Sequence, residues 1–365
     1  MKNILILSLF ILSVSSAIAQ NQQPAECGTR ILTPPKIFSQ KEKDSLNAIL
    51  AINVPYAVRL YVTVFANNDG SNRAAPDADI IRQVQNMANQ YAAHNICFIL
   101  IDIRQVNNTD LNTHNSDTEE AELNPYIISG CLNLFIHNYL DSNSGTLNGT
   151  AYAIPNTYMS MGGWAITPTD NISTMGHEAG HCFGLLHTFE TFYGAENVTR
   201  NSGNACYDCT SQGDLLCDTP ADPNGTVNSS CVYTGGANDA CGVAYAPMTT
   251  NMMAYGFRPC RSLFTAGQGT RMRSFLTTTP SLTALIADDI VFRPSTSNTS
   301  ITYTNGIRHE TARDQLIISN YTGDSYTVSG STDMNMVSKR VVLKPGTSLS
   351  PSTGRVHIKV NPYCN

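Results

Sequence analysis

The sequence predicts a mixed α/β domain followed by a small all-β domain. Between residues 56 and 103 a strand, a helix and a strand follow one another, and this β-α-β opening is typical of mixed sheets covered by helices. After about residue 288 the chain changes to short strands separated by Gly, Asn, Ser and Pro. We therefore expect a large α/β (α+β) domain at 51–287 and a sandwich-like β domain at 288–365.

The elements of the large domain follow from the spacing of its apolar residues. In YAVRLYVTVFA, Val58, Leu60, Val62 and Val64 face one way and polar residues the other, as in a half-buried strand. In PDADIIRQVQNMANQYAAHN, Asp77 is the expected N-cap, and apolar residues recur at helical spacing. ICFILIDI and CLNLFIH are apolar enough to be buried strands, and TAGQGTRMRSFL is predicted to be helical.

The amino terminus has the pattern of a signal peptide at residues 1–19. Lys2 supplies a positive charge, residues 4–14 are apolar, and Ala17-Ile18-Ala19 resembles a signal peptidase site. The apolar run is shorter than the ~20 residues of a membrane span, although an uncleaved anchor is the alternative. We expect a secreted protein with no membrane partner once the signal is removed. The polar, irregular residues 20–50 are interpreted as a pro-segment.

Charge and cysteine content narrow the function. The net charge is −6, and only 14% of residues are charged. Nucleic acid is therefore not expected as a partner, because binding phosphates requires a basic surface. We expect a monomer. Eleven cysteines in an exported chain indicate disulfides, with one cysteine left over.

The stretch TMGHEAGHCFGLLHTFE is the chemical centre of the sequence. His177 and His181 are four residues apart, which places both imidazoles on one face of a helix. Gly184 can end that helix in a sharp turn and bring His187 back as a third ligand. Three histidines leave a fourth position for water, as in catalytic zinc sites, whereas structural zinc usually has a fourth protein ligand. Glu178 is placed to act as the general base.

The complete pattern His-Glu-x-x-His-x-x-Gly-x-x-His resembles that of the metzincin metallopeptidases. Four further stretches resemble the pappalysin family, including its bacterial, cytophagalysin-like members: GTAYAIP, the HTF after the third histidine, CDTPADP, and NMMAYGFRPCRSLFTAGQGTRM. The resemblance covers about residues 25–275 and does not extend to the β-rich tail. It implies a metzincin-type domain with a mixed twisted sheet and an active-site helix, and a zinc endopeptidase acting on proteins or peptides.

The resemblance also suggests roles for residues outside the zinc motif. Met253 would be the methionine of the turn beneath the metal, although core packing is its alternative. Tyr255 would hydrogen-bond the oxyanion, and Cys231 would pair with Cys260. Oxygen ligands for a second metal, calcium, would come from a loop that is otherwise an ordinary polar turn. These ligands are Asp214, Asp218, Thr219 and Asp222.

The sequence departs from the family after the turn methionine. Ala254 stands where the family often has an acid, and Gly256-Phe257-Arg258-Pro259 lacks the acids found in members that favour a basic residue just after the scissile bond. We therefore hypothesise that arginine is not favoured there and that Arg258 repels it. Strong selection of arginine from a peptide library would contradict this hypothesis.

Cys27, in PAECGTR, is the candidate for the unpaired cysteine. A thiolate is a strong zinc ligand, so in the latent form Cys27 would take the position of the water. Pappalysin-like zymogens are similar here, with a Cys-Gly-Thr segment. The alternative is that Cys27 forms a disulfide and another cysteine, such as Cys182, is the odd one.

The sequence therefore predicts a secreted zinc metalloendopeptidase made as a latent zymogen. The alternative from another class is an inactive secreted binding or adhesion module on a peptidase fold. A third interpretation makes the metal purely structural. The complete set of ligands and base favours the enzyme.

Overall fold

The computed structural model describes residues 26–31, 34, 36–38 and 54–364. The predicted signal peptide at 1–19 lies outside the described residues, as do most of the predicted pro-segment and its carboxyl-terminal end. No helix in the described part of the chain has the length and apolar character needed to cross a bilayer.

A mixed sheet forms the centre of the large domain. The strands of this domain are β1 (Tyr56–Ala66), β2 (Ile96–Asn107), β3 (Thr113–Asn115), β4 (Leu132–His137), β5 (Tyr139–Ser142), β6 (Gly145–Thr146), β7 (Gly149–Ala151), β8 (Tyr158–Gly162) and β9 (Ile286–Ala287). The main sheet has the order β2-β1-β4-β8-β7, and β9 pairs with the start of β1. Its pairs are parallel except those of β7 and β9, so β7 forms an antiparallel edge. Strands β3, β5 and β6 make a smaller sheet.

Strand β1 is buried on both faces, whereas its sequence predicted only one buried face. Val58 and Leu60 belong to the main core, as expected. Tyr61, on the other face, is 1% exposed and packs in a cluster that includes Val337 and Cys364 from the carboxyl-terminal region. The second face is therefore covered by the tail, a contact that local alternation does not report.

The described part of the large domain has six helices, whose apolar residues lie in more than one core cluster. They are α1 (Asp77–Ala92), α2 (Thr109–Asn112), α3 (Gly163–Ile166), α4 (Thr174–Cys182), α5 (Ala266–Thr278) and α6 (Pro280–Thr283). Short 3-10 turns span Glu120–Tyr126 and Arg258–Cys260. In α1, Ile80, Val84, Met87 and Tyr91 are all buried, as their spacing predicts.

The first residues of two helices can be compared with what the sequence predicts. The N-cap of α1 is Pro76 rather than Asp77, which lies in the first helical turn. A carboxylate in the first turn still stabilises the helix, because it faces the positive end of the helix dipole. Helix α5 begins with a capping box in which Thr265 and Gln268 satisfy each other's backbone N–H groups.

Three disulfides hold the long loop between α4 and α5. They join Cys206 to Cys241, Cys209 to Cys217, and Cys231 to Cys260. Apart from isolated bridges and one 3-10 turn, this loop contains no helix or strand. The loop cannot bury a core of its own, so these covalent links constrain it in place of packing.

The tail is all β, but its strands pair in parallel. They are β10 (Ile290–Arg293), β11 (Ser300–Thr311), β12 (Gln315–Ile318), β13 (Ser325–Ser338), β14 (Arg340–Leu343), β15 (Thr347–Leu349) and β16 (Val356–Val360). Successive strands mostly alternate between two sheets, one with the order β10-β12-β14 and one built on β11, β13, β15 and β16. The predicted β-rich region is therefore confirmed, whereas the sequence did not predict its parallel pairing, since most sandwiches have antiparallel strands. Short strands separated by turn residues fit either arrangement.

The tail is attached covalently to the large domain. Cys364 forms a disulfide with Cys97 on β2. Nearby, the Lys359 ammonium lies 3.4 Å from the Asp102 carboxylate, and it donates to the carbonyl of Ile101. Strands β2 and β4 lie on opposite sides of β1, and Cys131 is a free, buried thiol.

Candidate active site

Helix α4 carries two of the three predicted metal ligands into the core. Every residue of α4 is buried, including His177 and His181. The helix stops where the Leu185 amide donates to the carbonyl of Gly180 and Gly184 adopts a φ of +90°. A Cβ at Gly184 would lie 2.2 Å from the Phe275 ring, so conformation and space both require glycine. This turn returns the chain so that His187 faces the helix.

The three imidazoles converge through their Nε2 atoms. The Nε2 of His181 lies 3.2 Å from that of His177 and 3.1 Å from that of His187. The Nδ1 atoms of His177 and His181 are each 2.8 Å from a backbone carbonyl, those of Met252 and Leu185. A carbonyl can only accept, so Nδ1 carries the proton and Nε2 presents a lone pair. The lone pairs of His177 and His181 repel each other at this distance, and a cation between them would remove the repulsion.

The imidazoles are neutral, which is the form that binds metal. Burial lowers the pKa of His181 to about 4. It lowers the pKa of His177 and of His187 well below the usual value, and the neighbouring histidines add to the effect. Cys27 Sγ and one nitrogen of each histidine lie within 4.8 Å of one another. Three imidazoles and a thiol at one point fit a tetrahedral zinc ion.

Met253 lies directly beneath the ligand helix. A Cβ built on Gly180 would be 2.7 Å from the Met253 sulfur, so the helix passes over the methionine at van der Waals distance. The Met253 amide donates to Asn251, whose side chain exchanges two hydrogen bonds with Gln268. The preceding Met252 supplies the carbonyl that orients His177. The turn therefore supports the histidines through backbone and side chain together.

Glu178 is buried between the helix and the edge strand β7. Its Oε2 accepts from Cys27 Sγ at 3.3 Å and from Thr29 Oγ1 at 3.1 Å, whereas Oε1 has no partner. A Cβ at Gly149 would lie 2.7 Å from Glu178 Cγ, so the strand leaves room for this side chain only because it has glycine there. Burial raises the pKa of Glu178 to about 8, against the opposing effect of the two hydrogen bonds.

Tyr255 lies against the histidine cluster. Its ring packs against those of His187 and Phe189, with centroid distances of 4.9 and 4.6 Å. Its hydroxyl donates to the carbonyl oxygen of Cys27 at 3.2 Å. Burial raises the pKa of Tyr255 far above its usual value, and the nearby Cys27 and Glu178 raise it further. The hydroxyl therefore acts as a hydrogen-bond donor.

Residues 27–29 lie in the cleft alongside β7. The Gly28 amide donates to the carbonyl of Gly149, and the Ala151 amide donates to Thr29 Oγ1. A Cβ at Gly28 would lie 2.4 Å from Leu147, so the segment can approach this closely only as glycine. Burial and the charge of Glu178 raise the pKa of Cys27 well above its usual value, consistent with a thiol that donates to the carboxylate.

Two arginines next to Tyr255 were not predicted to act together. The Glu26 carboxylate accepts from Arg258 at 3.0 Å and from Arg261 at 2.8 Å. The side chain of Arg261 is 1% exposed, and its Nη1 donates to the carbonyl of Ala254. Sequence reasoning missed Arg261, because its acidic partner is 235 residues away along the chain.

The side chains of the four predicted calcium ligands contact different groups. Asp214 and Thr219 are buried next to each other. Asp218 instead accepts from the Gly267 amide at the start of α5, and Asp222 accepts from Thr188. Asp214 also accepts from a backbone amide, that of Leu216, so these contacts exclude none of the four and the set stays a prediction.

Glu196 joins Asp214 in this loop and was missed by the sequence analysis. It is 4% exposed, its Oε1 pairs with Arg200, and its Oε2 has no hydrogen-bond donor. Burial raises the pKa of Glu196 to about 8 and of Asp214 to about 7. Glu196 is an acid in a long loop and belongs to no motif. The sequence therefore did not indicate it as a candidate ligand.

Comparison with known proteins supports the motif-based reading. Residues 112–277 match the family model of peptidase M43, described as pregnancy-associated plasma protein-A. This range contains all three histidines, Glu178, Met253 and Tyr255, and it ends before the tail.

Curated relatives are similar over most of their length. Extracellular metalloprotease 1 of Coccidioides posadasii is 27% identical over 278 residues, which cover 71% of this chain and 91% of that protein. An extracellular metalloprotease of Colletotrichum graminicola is 26% identical over 284 residues, covering 73% and 93%.

Solved structures of mirolysin also match. A promirolysin mutant from Tannerella forsythia aligns with a TM-score of 0.48 and 18% identity, over 70% of this chain and 95% of that one. Mirolysin in complex with a compound aligns with a TM-score of 0.47 and 21% identity, over 63% and 94%.

Proposed function

We propose, from the premise that this chain belongs to the peptidase M43 family of metalloproteases, that it is a secreted zinc endopeptidase made as a latent zymogen. The observation that carries the proposal is the convergence of three buried, neutral imidazoles beside a buried carboxylate. The relatives are extracellular metalloproteases, and four disulfides in the described residues fit an oxidising compartment.

His177, His181 and His187 would hold the metal. When bound, zinc supplies a Lewis acid that makes water a nucleophile near neutral pH and polarises a carbonyl. The carbonyls of Met252 and Leu185 keep two of the imidazoles in the ligating tautomer. Their orientation is thus fixed before any metal binds.

Glu178 and Tyr255 would perform the proton transfer and the oxyanion stabilisation. Glu178 takes a proton from the attacking water and returns it to the leaving amine, a task suited to a carboxylate whose pKa burial has raised. The Tyr255 hydroxyl donates to the carbonyl oxygen of Cys27 in the precursor, and this oxygen stands in for that of a substrate. The same donor would stabilise the charge that develops there during hydrolysis.

Latency would come from residues 27–29, which contact both the proposed metal ligands and the proposed general base. Cys27 Sγ completes the donor set with the three histidines. It would thereby take the fourth metal position, which the attacking water needs. Thr29 donates to Glu178 at 3.1 Å, so the base is engaged as well, whereas the contact of Cys27 with this carboxylate is a hydrogen bond only while the sulfur keeps its proton. Removal of this segment would free the fourth position and the carboxylate together.

We propose a calcium site at Glu196, Asp214 and Thr219. Burial raises the pKa of both carboxylates, and Asp214 raises that of Glu196 further, although Arg200 and Arg271 oppose these shifts. Calcium chelation by EGTA should lower the melting temperature, and Glu196→Gln should remove this calcium dependence. A melting temperature that is the same with and without calcium would contradict the site.

Cleavage of casein or gelatin by the protein after removal of its pro-segment tests the enzymatic proposal. Cleavage should be lost with a chelator and restored by zinc. A protein that shows no cleavage, although removal of the segment has been proven by mass spectrometry, would instead support the inactive binding module.

A further inference from the structure

Two guanidinium groups meet on one carboxylate at the edge of the metal cluster. Arg258 approaches Glu26 with both Nε and Nη2, and Arg261 approaches the other oxygen with Nη2. A carboxylate held by two arginines is a strong and geometrically specific form of recognition, since the planar donor fork fits its two oxygens.

Arg261 has few alternatives to this carboxylate. Its side chain is 1% exposed, it donates once to the carbonyl of Ala254, and its Nε has no partner. Within the described residues, Glu26 is the acid with which Arg261 forms an ion pair. Loss of Glu26 would leave the Arg261 guanidinium without its acidic partner, so the mature enzyme would present a position that favours a negative charge.

This position lies directly beside the point of catalysis. Glu26 immediately precedes Cys27, whose sulfur lies with the three histidines and whose carbonyl accepts from Tyr255. The charge of Arg261 also reaches the centre: after burial and the neighbouring histidines, it contributes to lowering the pKa of His177. A substrate residue that replaced Glu26 would flank the scissile bond.

We propose that Arg258 and Arg261 form a specificity subsite that selects an aspartate or glutamate side chain immediately beside the scissile bond, and that Glu26 occupies this subsite in the precursor. The inference rests on the proposed endopeptidase function and extends it to the chemistry of the preferred substrate. Glu26 is followed by Cys27 in the same chain. The group that the two arginines recognise is therefore a side-chain carboxylate and not the carboxylate of a chain terminus. The competing interpretation is that the arginines only hold the pro-segment, in which case the mature enzyme has no preference for acids.

The test uses the mature, zinc-loaded enzyme. Its substrates are peptides with blocked termini that share one sequence except at the tested positions. Glu, Gln, Ala or Arg is placed at each of the two positions that flank the cleaved bond. At one of these positions kcat/KM with Glu should exceed kcat/KM with Gln about 10- to 100-fold, because Gln keeps the shape but loses a charged hydrogen-bond partner. Arg at that position should be cleaved least.

Variants then assign the preference to residues. Arg258→Gln should reduce the Glu-to-Gln ratio about tenfold, and Arg258→Glu should shift the preference towards Arg. Arg261→Gln should act in the same direction, with folding verified by circular dichroism and by cleavage of the Ala peptide. Arg340→Gln, an exposed arginine at the start of a tail strand, is the matched control and should leave the ratio unchanged.

The outcomes separate the two proposals. Chelator-sensitive cleavage without any preference for Glu at either position overturns the subsite and leaves the endopeptidase intact. A preference for Glu that survives both Arg258→Gln and Arg261→Gln also overturns it. Failure to cleave any peptide overturns the endopeptidase proposal, and the subsite with it.

Discussion

At the scale of the residue, the three proposed metal ligands are oriented by different contacts. His177 and His181 are held through Nδ1 by backbone carbonyls, whereas His187 stacks on Phe189 with an interplanar angle of 9°. His187 follows a glycine turn and lies outside the helix, so the stacked ring takes over the orienting role that the helix has for the other two.

Glu178→Gln should abolish turnover without removing the metal. The amide keeps the size of the side chain but cannot accept the proton of water, and loss of a general base costs about 10²- to 10⁴-fold in rate. Rates on a peptide and zinc content by atomic absorption would be measured together. Glu122→Gln, an exposed acid, should match the wild type in both. A fully active Glu178→Gln enzyme would remove Glu178 from its proposed role.

Cys27→Ala should give a precursor that is active before its pro-segment is cut. Cys27 Sγ is the fourth member of the donor set and lies 3.3 Å from Glu178 Oε2, so its loss opens the site to water. Activity of the uncut precursor on a short peptide would be compared with that of Cys131→Ala, which removes another free thiol outside the cleft. A stable Cys27→Ala precursor without activity would argue against latency by this thiol.

The sequence predicted those site residues whose spacing is local. The three histidines and Glu178 lie within one helix and one turn, so their geometry follows from helical periodicity. Arg261, Glu26 and Glu196 act through partners brought together by the fold or through burial in a loop. No local pattern encodes either condition, and therefore these residues emerge only from the structure.

At the scale of the element, the end of helix α4 determines whether the third ligand reaches the site. Gly184→Ala should destabilise the protein by about 2–5 kcal/mol, from a left-handed backbone angle and a clash with Phe275. It should also weaken zinc binding, because His187 follows this turn. Urea unfolding and zinc titration would measure the two effects.

Gly242→Ala separates backbone strain from crowding. Gly242 has a φ of +80°, but no atom lies within 4 Å of the Cβ position. Its substitution should cost only about 1 kcal/mol and leave zinc affinity unchanged. Equal losses for the two variants would show that contact with Phe275 is not important.

At the scale of the whole molecule, the tail and the large domain are joined by a disulfide that closes a very long loop. Replacing both Cys97 and Cys364 by Ala should lower the free energy of unfolding by up to about 5 kcal/mol and make the tail accessible to limited proteolysis. The loop closed by Cys209 and Cys217 spans only 8 residues, so its removal should cost about 2–3 kcal/mol. A tail that stays protected in the first variant would show that packing alone holds it.

The arrangement of the tail strands was the least predictable part of the fold. Their existence follows from alternation and turn residues, and most were placed correctly. Their parallel pairing joins residues 25 positions apart, such as Ile290 with Gln315 and Gln315 with Arg340. These residues are chemically unlike, but the next row of the ladder, Val291, Leu316 and Val341, is apolar throughout, so the repeat of the backbone has only a weak counterpart in the sequence.

The disulfide between Cys97 and Cys364 also determines when the growing chain can complete its oxidation. Synthesis proceeds from the amino terminus at ~5–20 residues per second, so Cys97 exists for roughly 15–50 s before its partner is made. Cys131 is synthesised during that interval and belongs to the same buried cluster, yet it ends as a free thiol. Correct oxidation therefore requires that Cys97 does not react with Cys131 first, and the bridge can form only after residue 364 has been made.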